Sequence, residues 1–206
     1  MSLAAFRRVV LQFAVAAATS VLAVPAFAQA PAPAPASASK LIETVAAEVI
    51  EIVKSKTGEQ RQAAMKQVMQ AAFDLPYMTR SALGTHWKDA SEAQRARFLT
   101  ALETSEARAY SERFGQYAGQ TLSLGKVTQR PNGVTVVDSK LNQLTGQPIK
   151  LEWEVRDNGQ GPRITDVKVE GVSLLMTRRS DFNSYIQSNG GTVEPLIKEL
   201  EARASR

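Results

Sequence analysis

The spacing of the apolar residues changes twice along this 206-residue chain, and no other feature limits its fold so much. From Lys40 to Gly119 apolar side chains recur every three or four residues, the period of a helix with one buried stripe. After Gly119 the period becomes two, as in strands with one buried face. It stops at Gly171, where Asp166-Val-Lys-Val-Glu-Gly171 gives way to Val-Ser-Leu-Leu and a renewed helical spacing through Phe182. Helices, then strands, then helices is the order of an α+β domain rather than of alternating βαβ units.

The helical half divides at its breakers. Leu41, Val45, Val49, Ile52 and Val53 mark a first helix that Gly58 ends, and Gln60 to Ala72 form a second. Asp74-Leu-Pro76 turns into a short helix through Leu83, with Gly84 as its stop. Ser91 and Gln94 spell a capping box. The long helix it opens carries a stripe of Phe98, Leu102, Ser105, Ala109, Tyr110, Phe114 and Tyr117. Strands are expected over Thr121 to Arg130, Gly133 to Leu144, Pro148 to Arg156 and Arg163 to Glu170. Pro131-Asn-Gly133 and Asp157-Asn-Gly159 supply turns between them. Ser173 to Gln187 and Pro195 to Ala204 close the chain as helices. The expected architecture is α+β, with a curved antiparallel sheet of four to five strands covered by helices. Such NTF2-like or cystatin-like layouts enclose an apolar pocket between sheet and long helix.

Residues 1–28 have the three parts of a secretory signal: Arg7 and Arg8, an apolar run from Val9 to Val24, and Ala26-Phe27-Ala28 as a cleavage site. The run is short and broken by Gln12, Thr19 and Ser20, whereas a membrane span needs roughly 20 apolar residues. Cleavage after Ala28 and a periplasmic location are therefore expected. Residues 29–39, with Pro31, Pro33 and Pro35, read as an extended, unpacked linker. Residues 40–206 read as one domain, long enough for an apolar core.

Chemistry is sparsely represented. There is no cysteine, hence no disulfide, thiolate nucleophile or Cys-based metal site. Loss of Arg7 and Arg8 with the signal leaves 23 basic against 20 acidic residues, and these are dispersed, which argues against nucleic-acid binding. His86 is the single histidine, beside Trp87 in an expected loop, with no nucleophile motif to serve. No metal-ligand set is visible. Asp74, Asp166 and Glu170 are candidates for an acid/base group, although Asp166, Lys168 and Glu170 also fit a solvated, charge-alternating sheet face. Arg178 and Arg179 lie early in a helix and either pair with carboxylates or meet an acidic partner. No catalytic residue, metal or cofactor is assigned.

Phe73-Asp74, Leu83-Gly84 with Trp87, Gln94-Arg95 with Phe98, Tyr110 and Tyr117 recur here in an order and spacing that resemble the MlaC family. Asp166-Val167, Glu170-Gly-Val-Ser-Leu174, Arg179 with Phe182, and Gly191 with Leu196-Ile197 continue the likeness over nearly the whole mature chain. These are periplasmic phospholipid-binding proteins, also called toluene-tolerance proteins; a hopanoid-associated branch shares the layout. The resemblance implies a non-enzymatic carrier that buries diacyl phospholipid and maintains outer-membrane lipid asymmetry. Its implied partners are an inner-membrane ABC transporter with a lipid-domain subunit and an outer-membrane lipoprotein complex. The acyl chains are expected among Leu83, Trp87, Phe98, Leu102, Tyr110, Phe114, Val136, Leu151, Trp153, Val167, Val169 and Leu174. Arg178 and Arg179 are the expected headgroup or partner contacts. A hopanoid carrier, a filled-core adaptor and an exported hydrolase are the competing readings.

Overall fold

The computed structural model describes residues 32–115, 117 and 119–205. Helices α1 (Pro35–Ser55), α2 (Gly58–Ala72), α3 (Leu75–Leu83) and α4 (Glu92–Phe114) come first. Strands β1 (Thr121–Arg130), β2 (Val134–Asn142), β3 (Ile149–Asp157), β4 (Pro162–Val169) and β5 (Val172–Ser173) follow, then helices α5 (Leu174–Ser188) and α6 (Glu194–Ser205). The expected α+β architecture is the observed one.

Local chemistry sets several boundaries. The Asp74 carboxylate accepts from the Tyr77 amide at the start of α3. At α4, Ser91 Oγ accepts from the Gln94 amide, while the Gln94 side chain accepts from the Ser91 amide. This reciprocal box satisfies two amide donors that a helix start would otherwise leave open. Glu170 and Gly171 both have positive φ, 50° and 81°, so the β4–β5 hairpin turns in two residues and delivers the chain into α5. Ser173 then accepts from the Met176 amide as the cap of α5.

The five strands form an antiparallel meander in sequence order. Register irregularities at Leu124/Val127 and Glu154/Val155 bend it. One face is apolar: Val137 pairs with Val127 and Trp153, Leu151 with Val169, and Trp153 with Val167. Helix α1 lies across this face, and Ile42, Val45, Val68, Ala72, Val137, Val155 and Ile164 form a buried core there. A second core stands apart within the helical layer, made by Leu83, Phe98, Phe182, Ile186, Ile197 and Leu200 from α3 to α6. Helix α4 packs chiefly on α2 and α6. No described helix is long and apolar enough to cross a membrane.

One sequence expectation is corrected here. The linker was to be unpacked through Ser39, but α1 begins at Pro35 and Ala38 is fully buried in the sheet core. Pro33 is also buried, and its carbonyl accepts from Thr135 Oγ1 (2.7 Å) and Gln129 Nε2 (3.1 Å). Proline is well tolerated in the first helical turn, because amides there have no intrahelical acceptor, so the Ala-Pro composition concealed a helix start. The expected signal, residues 1–28, and the start of the expected linker lie outside the described residues.

Candidate functional site

The twelve apolar candidates do not form one lining. Leu83 and Phe98 are buried in the helical core, with Phe98 edge-on to Phe182 at 5.6 Å. Leu102 packs against that core from α4. Trp87, in a 3-10 turn over Gly84–Trp87, does likewise, and the Arg95 guanidinium caps its ring at 4.9 Å. Trp153 and Val167 pack against the sheet core, and Trp153 Nε1 donates to Ser139 Oγ (2.8 Å). Val136 is on the other face of the sheet. It pairs with Thr128 and Glu154, beside the ion pairs of Glu154 with Arg130 and Lys168. Val134-Thr-Val-Val137 is apolar at both parities, so alternation could not assign its inward face.

Five candidates remain: Tyr110, Phe114, Leu151, Val169 and Leu174. None is fully buried and none belongs to either core; Phe114 and Leu174 are 37% and 38% exposed. Leu151 and Val169 are directly paired on the apolar sheet face, β5 pairs Val172 with Val169, and Leu174 follows as the first residue of α5. Tyr110 and Phe114 stack at 6.0 Å on the last turns of α4. These five are the candidates that neither core takes in.

A charged bridge joins α5 to α4. Arg178, one turn after Leu174, pairs with Glu106 of α4 at 2.6 Å and lies 5.8 Å over the Phe182 ring. Burial raises the Glu106 carboxyl above its ordinary value, opposed by Arg178 first and then by Arg113 and Arg203. Burial also raises the Tyr110 phenol, with Glu106 adding to the effect. Glu106 was missed from sequence because it is charged. Its spacing was nonetheless the signal, four residues after Leu102 and four before Tyr110 on the inward stripe. Of the two arginine readings, Arg178 takes the carboxylate-pairing one. Arg179 is exposed and sits against the Gly84 turn.

The acid/base candidates have structural partners. Asp74 caps α3, and its amide donates to the Ile164 carbonyl (2.9 Å). Asp166 is buried and accepts from the Leu175 amide at the start of α5 (3.1 Å). Glu170 accepts from the Lys150 amide, which ties down the β4–β5 turn. His86 meets Asn183 across 2.9 Å. Among the described residues, no group of three His, Cys, Asp or Glu could hold a metal ion.

Comparison with known proteins agrees with this architecture. A solved structure of a phospholipid-binding protein from Ralstonia solanacearum, in complex with a phospholipid, superposes with a TM-score of 0.69 at 20% identity. The match covers 84% of this chain and 98% of the other. At that identity the likeness establishes the fold. The family model described as MlaC protein matches residues 43–202, which spans α1 into α6. The chain belongs to the MlaC family.

Proposed function

We propose that this chain is a periplasmic phospholipid carrier, holding acyl chains between the apolar sheet face and the helical layer. The observation that carries the reading is the set of incompletely covered apolar residues outside both cores: Leu151 and Val169 on the sheet, Tyr110 and Phe114 on α4, and Leu174 on α5. Apolar side chains left incompletely covered in one place are the usual mark of a binding region. The phospholipid bound by the Ralstonia solanacearum protein of the same fold supports that ligand class.

Burying each methylene contributes about 0.8 kcal/mol, so two ordinary acyl chains supply roughly 20 kcal/mol gross. That is enough to hold lipid in water without a bond being made or broken. Chain entry requires the sheet and α4 to separate. Helix α2 ties the layers together, with Val68 and Ala72 in the sheet core and Met65 packed with Val53 of α1 and Ala107 of α4, so that separation would occur away from α2. The mild excess of basic residues favours approach to anionic membranes and acidic partners. Exchange with an inner-membrane ABC transporter and an outer-membrane lipoprotein complex is the working context that family membership suggests.

The test is native mass spectrometry, with lipid extraction, on chain exported to a bacterial periplasm. A stoichiometric added mass of a diacyl phospholipid is expected. It should fall at least several-fold in a Leu151→Gln/Val169→Gln double variant that still unfolds cooperatively. A hopanoid mass would change the cargo assignment. Apo protein that takes up no lipid from vesicles would sink the carrier reading in favour of a filled-core adaptor.

A further inference from the structure

Beside the helical core, a cavity of about 340 Å³ opens between the Gly84–Thr85 turn and α5. Its lining includes Gly84, Thr85, Met176, Arg179, Ser180 and Asn183. We propose that this cavity is a phosphate-class oxyanion site built around the Arg179 guanidinium. It goes beyond lipid carriage, since none of its lining residues is among the five proposed to hold the acyl chains.

Three observations support it. First, Arg179 is an uncommitted cation. Its neighbour Arg178 is held by Glu106, but no acidic side chain among the described residues lies within ion-pair distance of Arg179. Second, the main chain is shaped to receive that guanidinium. Gly84 has φ 56° and ψ −124°, a conformation that glycine alone adopts readily. A β-carbon there would stand 2.8 Å from Arg179 Nε and 3.2 Å from both Cζ and one terminal nitrogen. The glycine therefore lets the guanidinium lie directly against the turn, where α3 ends and the 3-10 turn begins.

Third, the remaining polar groups are donors of suitable kind. Thr85 and Ser180 offer hydroxyls. Asn183 Oδ1 is engaged by His86 Nε2 at 2.9 Å, which leaves the Asn183 amide NH₂ as its donating end. A guanidinium with two hydroxyls and an amide matches the several acceptor oxygens of a phosphate better than the two of a carboxylate. Among the described residues, no acidic side chain lines the cavity to repel such an ion. Met176, 47% exposed at its edge, gives an apolar flank, which suits a phosphate ester carrying an organic group.

The anion has two possible sources, a soluble phosphate ester or a phospholipid headgroup at a membrane surface. NMR titration of the mature chain with inorganic phosphate and with glycerophosphate examines the first. Saturable shifts of Arg179 Nε–Hε and of the Thr85 and Ser180 amides are expected, weakened at least about tenfold in Arg179→Gln. Lys140→Gln, which removes an exposed charge on the sheet, should leave the titration unchanged. Co-sedimentation with phosphatidylglycerol vesicles examines the second. Binding lost in Arg179→Gln but kept in Lys140→Gln assigns the site to the headgroup, and vesicle binding indifferent to Arg179 assigns it to soluble esters. Non-saturating shifts spread over surface cations, equal in wild type and Arg179→Gln, together with Arg179-independent sedimentation, would overturn the proposal. Gly84→Ala provides a second probe: if folded, it should weaken phosphate binding by displacing the guanidinium.

Discussion

Phe98→Ala separates the two roles that sequence could not tell apart, core filler and ligand wall. The Phe98 ring is fully buried and lies edge-on to Phe182, with centroids 5.6 Å apart and planes at 80°. Truncating such a ring removes its transfer free energy and leaves a cavity, together about 3–5 kcal/mol. That figure includes the roughly 0.5–1.5 kcal/mol of an edge-to-face pair. For a domain of this size each kcal/mol moves Tm by about 2–4 °C, so the midpoint should fall by about 6–20 °C. The companion change is Phe114→Ala, at a ring 37% exposed and stacked on Tyr110. It should cost less than about 1.5 kcal/mol, because much of its surface already meets water. The assay is urea and thermal unfolding of the mature chain, with bound lipid per folded molecule read by native mass spectrometry. Phe98→Ala should lose stability and keep its lipid, whereas Phe114→Ala should keep stability and lose lipid. The opposite pairing, or a Phe98→Ala cost below about 1 kcal/mol, would refute the division into a filled helical core and a ligand wall.

The raised Glu106 carboxyl makes a pH prediction. The folded state holds this proton more tightly than the unfolded chain. Its contribution is therefore full below the ordinary carboxylate value near 4.5 and is lost as pH rises through the raised one. Glu106→Gln should flatten that fall in pH-dependent urea titrations, and an unchanged profile would remove Glu106 as its source. Arg178→Met leaves the carboxylate without its closest cation. The pair is part-exposed, so a cost of about 1–3 kcal/mol at pH 7 is expected, measured by urea midpoint. Asp166→Asn weakens the bond to the Leu175 amide and should cost about 0.5–2 kcal/mol in chemical denaturation. If it instead abolished a hydrolytic activity of the purified protein at unchanged stability, the enzyme reading would return. Ser139→Ala strands the Trp153 indole N–H and should cost about 1 kcal/mol, visible also as a shift in tryptophan emission.

Periodicity and punctuation carried the secondary structure, because helix stripes, strand alternation and caps are local. The box at Ser91 and Gln94, the stop at Gly84 and the turn at Gly133 act over three or four residues, and each stands where the sequence placed it. The helical start at Pro35 escaped because its cause is not local: Ala38 and Pro33 are held by the distant side chains and strands of the sheet. The candidate site was legible only in part for the same reason. Apolar spacing shows that Phe98, Leu102 and Trp153 face inward, but inward has two destinations here, the helical core and the sheet core.

By itself the sequence determined an α+β meander with one apolar sheet face, its family likeness, and the absence of any cysteine chemistry. Tertiary structure alone decided which apolar residues stay half-covered, that Val136 turns away from them, and that Arg178 is tied to Glu106 while Arg179 is not. The reason is that a side chain's period reports which side of its own element it occupies. What stands opposite that side depends on residues tens of positions away, and only the packed chain brings them together.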